Sequence, residues 1–244
     1  AGRAAEALAL YRQMGARGVD KDVVTFNQAI TACSKNGQLD SVLLIYEEME
    51  MQQPPIKADL SIYNALLTAC GMADDDEMAS KFFAEIKQKG IKPDARTYFG
   101  IITLFGRRGD FEKSKYYFED MTSNGVRPTP EVYRTFIIAC GRLSKHETAA
   151  SRNSRTAHVD KLVAAYQQEA PKGRALPPKA LQVYLAAAEA YAFLGAASKA
   201  LVVFDDFLKT STNRGIQQKA YNTMIKMVSN VQHDSLNERS CHKI

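Results

Sequence analysis

The chain has 244 residues, 45% hydrophobic and 24% charged, with 4 Cys, 8 Pro and 14 Gly. These proportions exclude wholesale disorder and a disulfide-scaffold mini-protein, and no run of about 18 apolar residues is present to insert in a membrane. The net charge of +5 is unevenly spread: residues 1–94 hold 10 basic and 14 acidic side chains, residues 95–180 hold 15 and 8, and residues 181–244 hold 7 and 5. A basic middle third is compatible with a passing polyanion, but so mild a field does not by itself predict one.

At the amino end, Ala4 to Tyr11 reads as helix with no signal or transit peptide, so the sequence reads as a piece of a longer array. Four segments then align: Val24-Thr25-Phe26-Asn27, Ser61-Ile62-Tyr63-Asn64, Arg96-Thr97-Tyr98-Phe99 and Glu131-Val132-Tyr133-Arg134. Their aromatics, Phe26, Tyr63, Tyr98 and Tyr133, recur at intervals of 37, 35 and 35 residues. A second match follows in each unit, at Tyr46-Glu47-Glu48-Met49, Phe83-Ala84-Glu85-Ile86 and Phe118-Glu119-Asp120-Met121. Within a unit the period is helical: Tyr63, Leu66, Leu67 and Cys70 fall on one face, and Phe82, Phe83 and Ile86 on another. Gly37 and Gly109 stand between the two stretches, where a positive φ ends a helix, and Asp74-Asp75-Asp76-Glu77 holds that place in the next unit as a capping cluster. Each unit is therefore a helical hairpin of about 35 residues that must stack on its neighbours to bury its apolar face.

Tyr-Asn-x-Leu-Leu at the front, an aromatic followed by Glu-Met near the back, and Gly90-Ile91-Lys92-Pro93-Asp94 at the join resemble the pentatricopeptide repeat family. The resemblance implies an all-α fold, a right-handed α-solenoid of stacked helix–turn–helix repeats. It runs through a half repeat (1–22) and repeats 23–59, 60–94 and 95–129. It weakens through an interrupted repeat (130–180), a degenerate one (181–217) and a partial one with a tail (218–244). It further implies a concave groove for single-stranded RNA, each base read by the fifth and last residues of a repeat while the second packs against it. Carried onto this sequence, the reading pairs are Asn27 with Asp59 and Asn64 with Asp94, with Val24 and Ser61 at the packing position; both pairs favour uracil. An Asn amide offers one donor and one acceptor face to a uracil edge, and a neighbouring Asp orients it. The same Asn and Asp residues also suit helix capping.

Beyond residue 94 the pairs become Phe99 with Thr129, Arg134 with Ala180 and Leu185 with Gln217, none a recognisable base-reading combination. Phe99 either stacks on a base or packs inward, and Arg96 and Arg134 either meet phosphate or face solvent. From about 142 to 157 a polar, basic, Ser/Thr-rich insertion splits the fourth hairpin, and helical periodicity resumes at Val159. It is either a basic clip on RNA or a partner, or a tolerated surface insertion. Pro171 to Pro178 ends that hairpin. The hairpin from Tyr184 to Phe207 leans toward the tetratricopeptide pattern, whose grooves hold peptides. Tyr221-Asn222 opens a further repeat that fades into a tail expected to be frayed or partner-dependent.

Cys33, Cys70 and Cys140 occupy one slot late in their first helices and read as buried, reduced thiols; Cys241-His242 lacks a zinc spacing partner. His146, His158, His233 and His242 have no arguable catalytic partner, and no phosphate-binding Gly-rich or deaminase motif is present. The expectation is no enzyme, no cofactor, no metal and no membrane insertion. Two readings stand: an organellar module, mitochondrial or chloroplast by resemblance, that binds single-stranded RNA in transcript stabilisation, processing or translation; or a structural subunit of an organellar ribonucleoprotein or transcription complex that grips protein through its C-terminal half.

Overall fold

A computed structural model describes residues 2–142, 147–169 and 178–210, and within 214–225 all but 216, 219 and 223. Among these residues there is no strand. The helices run α1 Gly2–Ala16, α2 Val23–Ser34, α3 Leu39–Glu50, α4 Leu60–Ala73, α5 Asp76–Gln88, α6 Ala95–Arg108, α7 Phe111–Ser123, α8 Pro130–Gly141, α9 Ala149–Glu169, α10 Pro178–Phe193 and α11 Ala197–Thr210. They belong to two compact units, 1–104 and 105–244, the division falling within α6.

In the first unit α2 packs on α1, α3 and α4, and α4 on α5. The buried residues follow the apolar period, with Phe26, Ile30 and Cys33 on α2 and Tyr63, Leu66 and Cys70 on α4 all fully buried. Each first helix starts at a side-chain cap. Asp22 accepts from Thr25 N at 2.8 Å, Asp59 from Ile62 N at 2.9 Å and Asp94 from Thr97 N at 2.8 Å. Such a cap is worth about 1 kcal/mol, because it satisfies an orphan N–H where the dipole favours negative charge. The turn inside each hairpin needs a left-handed residue: Gly37 has φ +69° and Gly109 +75°, and Asp74 takes the same region at φ 55°. Asp75 then caps α5 by accepting from Met78 N at 2.9 Å.

Successive hairpins are joined by an aromatic pair, one ring from a second helix meeting the first helix that follows. In the first unit these are Tyr11–Phe26, Tyr46–Tyr63 and Phe83–Tyr98, with centroids 6.0, 6.2 and 5.3 Å apart. The second unit repeats the device in Phe118–Tyr133, Tyr166–Tyr184 and Phe204–Tyr221, at 5.9, 6.0 and 5.2 Å. All six are edge-on, the geometry that the ring quadrupole favours by about 0.5–1.5 kcal/mol beyond burial. A polar network sits beside the second of them: the hydroxyls of Tyr46 and Tyr63 donate to Glu85 Oε1 at 2.8 and 2.7 Å, and Lys89 approaches the same oxygen at 2.6 Å.

In the second unit α8 packs on α7, α9 and α10, and α10 on α11. The stretch from 142 to 157 differs from the expected loop, because helix α9 begins at Ala149 rather than near Val159. Its first turns escape apolar periodicity because the inward residue is a charge. Arg155 is 6% exposed, its Nε donates to Glu147 Oε1 at 3.0 Å, and its Nη1 donates to the carbonyl of Arg142 at 2.9 Å. Its guanidinium also lies 4.5 Å from the centre of the Phe111 ring. Arg155 therefore closes the end of α8. Cys33, Cys70 and Cys140 are free and buried, and burial raises all three thiols, Cys70 and Cys140 to about 12. The expected helix stop at Pro171–Pro177, residues His146, His233, Cys241 and His242, and the tail from Val231 lie outside the described residues.

Candidate functional site

The second and fifth residues of each repeat lie three apart, so they share one face of the first helix. On α2 these are Val24, 63% exposed, and half-buried Asn27; on α4 they are exposed Ser61 and Asn64, only 6% exposed; on α6 they are exposed Arg96 and half-buried Phe99. In the second unit half-buried Arg134 holds the fifth place of α8, and its Nε is buried without a hydrogen-bond partner.

Asn64 and Asp94 are brought together, Asn64 Nδ2 donating to Asp94 Oδ1 at 3.4 Å. The Asn64 side-chain oxygen, Oδ1, is buried and has no partner. Asp94 is locked in place by Thr97, whose N and Oγ1 donate to the same carboxylate oxygen at 2.8 and 2.9 Å. Partial burial raises the Asp94 carboxyl, but the hydrogen bonds from Thr97 and Asn64 outweigh it and hold the group below its ordinary 3.8. It therefore acts at neutral pH as a fixed anionic acceptor.

Asn27 and Asp59 are arranged differently. Asn27 Nδ2 donates to Ser61 Oγ at 3.0 Å and its Oδ1 accepts from Thr31 Oγ1 at 3.2 Å, while Asp59 is engaged at the start of α4. The Ser61 hydroxyl stands between the two repeats and takes the amide that Asp94 takes one repeat later. Ser61 thus touches two repeats, and Thr31 and Thr97 complete the site. Asp94-x-x-Thr97 repeats the spacing of Asp22-x-x-Thr25, a signal visible in the sequence.

Repeated helical hairpins, capped at the joins by Asp22, Asp59, Asp94 and Thr129, define a helical-repeat protein of the α-solenoid class. Residues 1–148 match the family model described as the pentacotripeptide-repeat region of PRORP. The chain belongs to the pentatricopeptide repeat family. No curated protein matches it significantly. Among solved structures it is similar to the pentatricopeptide repeat protein PPR10 in complex with an 18-nt psaJ RNA element, at 17% identity and TM-score 0.52 over 89% of this chain and 34% of that one. It is also similar to PPR10 from maize, at 24% identity and TM-score 0.50 over 91% of this chain and 31% of that one. The PPR domain of Arabidopsis thaliana protein-only RNase P 1 in complex with tRNA is 18% identical, with TM-score 0.51 over 91% of both chains. The chain thus spans about a third of the PPR10 chains and nearly all of the RNase P domain. Among the described residues no group of three or more His, Cys, Asp or Glu is placed to hold a metal, and no helix is long and apolar enough to cross a membrane.

Proposed function

We propose that this chain is a non-catalytic RNA-binding module of an organellar pentatricopeptide repeat protein, seating single-stranded RNA along its first helices and favouring uracil at Asn27 and Asn64. The observation that carries this is the Asn64 amide, anchored by Asp94 through its nitrogen while its oxygen is buried without a partner. An orphaned buried acceptor costs about 1–3 kcal/mol, which a donor from outside the chain relieves when the amide rotates toward it. The N3–H of uracil is such a donor, and exposed Ser61 and Val24 offer each base a packing surface. The RNA-bound state of the structurally similar PPR10 and RNase P domains supports the same reading.

Base stacking supplies about 1–3 kcal/mol per nucleotide, whereas association costs an estimated 4–15 kcal/mol. Two reading repeats therefore act with further repeats or a partner to stabilise, process or guide a transcript in a mitochondrion or chloroplast. Exposed Leu201 and Val202 on α11 favour protein contact through the C-terminal half as a second reading.

Fluorescence anisotropy with unstructured oligonucleotides tests the proposal. The chain is expected to prefer adjacent uracils to purines, to weaken with salt, and to lose the preference on Asn27→Ala with Asn64→Ala. An undiminished uracil preference in the double variant refutes it.

A further inference from the structure

A groove of about 590 Å³ opens in the second unit at the C-terminal ends of α6, α8 and α10. Three guanidinium groups line it, from Arg107, Arg108 and Arg142, with Glu189 and Phe193 from α10. The floor is set by a close approach of two helices, since a Cβ on Gly141 would stand 2.8 Å from Ala190 Cα. Arg142 is positioned rather than loose, its Nη1 donating to the carbonyl of Arg107. Glu189 and Phe193 are four residues apart on one helix, hence side by side on its surface. The Phe193 ring is 56% exposed.

The lining divides by chemistry. Arginine forks suit a phosphate, and an exposed aromatic face suits a nucleobase. A carboxylate beside that face repels a wholly anionic ligand such as an acidic peptide, and it accepts hydrogen bonds from a base edge that carries donors. Guanine offers two on its Watson–Crick edge, N1–H and the 2-amino group, whereas adenine presents an acceptor at N1. The volume lies within the usual range for small-ligand sites, about 300–1,000 Å³.

We propose that this groove binds a guanine nucleotide, with the base stacked on Phe193 and hydrogen-bonded to Glu189, and the phosphate held by Arg107, Arg108 and Arg142. The ligand is either free GMP or a guanosine within an RNA strand. The site shares no residue with the uracil-reading positions and does not rest on them.

Isothermal titration with GMP, AMP and inorganic phosphate tests it on the whole chain. GMP is expected to bind at least about tenfold more tightly than AMP or phosphate. Glu189→Gln is expected to erase that preference, and Phe193→Ala to weaken GMP by about tenfold. Both side chains stand at the groove's surface, and circular dichroism verifies that the variants fold. An unstructured oligonucleotide with one guanosine that displaces GMP assigns the site to the strand, and failure to displace it assigns the site to the free nucleotide. Equal binding of GMP and AMP, phosphate binding as tight as GMP, or no GMP binding overturns the proposal. The uracil preference is measured on the same protein with guanine-free oligonucleotides, so the two readings fail separately.

Discussion

Asp94 is asked to do two things, and a substitution series separates them. Its carboxylate caps α6 through Thr97 N at 2.8 Å and Thr97 Oγ1 at 2.9 Å, and it anchors the Asn64 amide at 3.4 Å. Serine is as good an N-cap as aspartate but one atom shorter, so Asp94→Ser keeps the cap and lengthens the Asn64 contact beyond hydrogen-bond range. Alanine removes both. Losing the cap costs about 1–2 kcal/mol, with two hydrogen bonds from Thr97 placing Asp94 toward the upper end. For a chain of this size 1 kcal/mol moves Tm by roughly 2–4 °C, so Asp94→Ala is expected to melt about 2–8 °C lower and Asp94→Ser within about 2 °C of the parent. Thermal melts followed by circular dichroism read the first effect, and anisotropy with uracil and purine oligonucleotides reads the second. Both variants are expected to lose base preference at this repeat. If Asp94→Ser melts as low as Asp94→Ala, the capping argument fails; if it keeps the uracil preference, Asp94 does not orient the reader.

Glu85→Ala is expected to cost about 2–4 kcal/mol in denaturant unfolding, because charge-assisted hydrogen bonds from two buried tyrosines are lost together. Burial raises the Glu85 carboxyl, but Lys89, Tyr63 and Tyr46 outweigh it and hold the group below its ordinary 4.5. Its contribution is therefore complete above pH 4.5 and is lost as pH falls through the lower folded value; Glu85→Gln should flatten that acid limb in pH-dependent melts. Gly141→Ala forces a Cβ against the Ala190 backbone and should destabilise by about 1–3 kcal/mol, whereas Gly71→Ala, in α4 with open space around it, should stabilise by about 0.5–1 kcal/mol. Arg155→Met takes the cation from Glu147, whose side chain is only 7% exposed, leaving the Ser151 hydroxyl to donate to it, and is expected to cost about 2–4 kcal/mol in unfolding titrations.

The hairpins were legible because their signals are periodic and apolar. Phe26, Tyr63, Tyr98 and Tyr133 stand in the sequence at the interval the stacked structure requires, and Gly37 and Gly109 mark its turns. The start of α9 was not legible, since its inward residue is Arg155 and a buried ion pair looks like solvent-facing polarity in a hydropathy pattern. The contact of Asn64 with Asp94 joins two positions that the family resemblance pairs. Asn27 instead engages Thr31 and Ser61, whose hydroxyl oxygen stands 3.0 Å from its amide nitrogen. Nor does spacing announce the guanidinium groove, whose residues come from the first helices of three successive hairpins.

The last residue of each of the first four units is also the N-cap of the next first helix, so the fold asks for a polar residue there whatever stands fifth. Capping favours Asp, Asn, Ser or Thr, a demand that Asp22, Asp59, Asp94 and Thr129 all meet. The fifth residue Asn64 engages that cap, whereas Phe99, at the same place on α6, has no polar side-chain group to do so. The aromatic junctions run on to Tyr221, so helices continue to stack beyond the contact of Asn64 with Asp94. Capping alone suffices to ask for a polar residue at the join, and the fifth position carries no capping duty. The basic surplus of residues 95–180 falls beyond Asn64 and Asp94, and Arg107, Arg108 and Arg142 gather part of it around one groove. The net positive charge of this chain thus stands apart in sequence from Asn27 and Asn64.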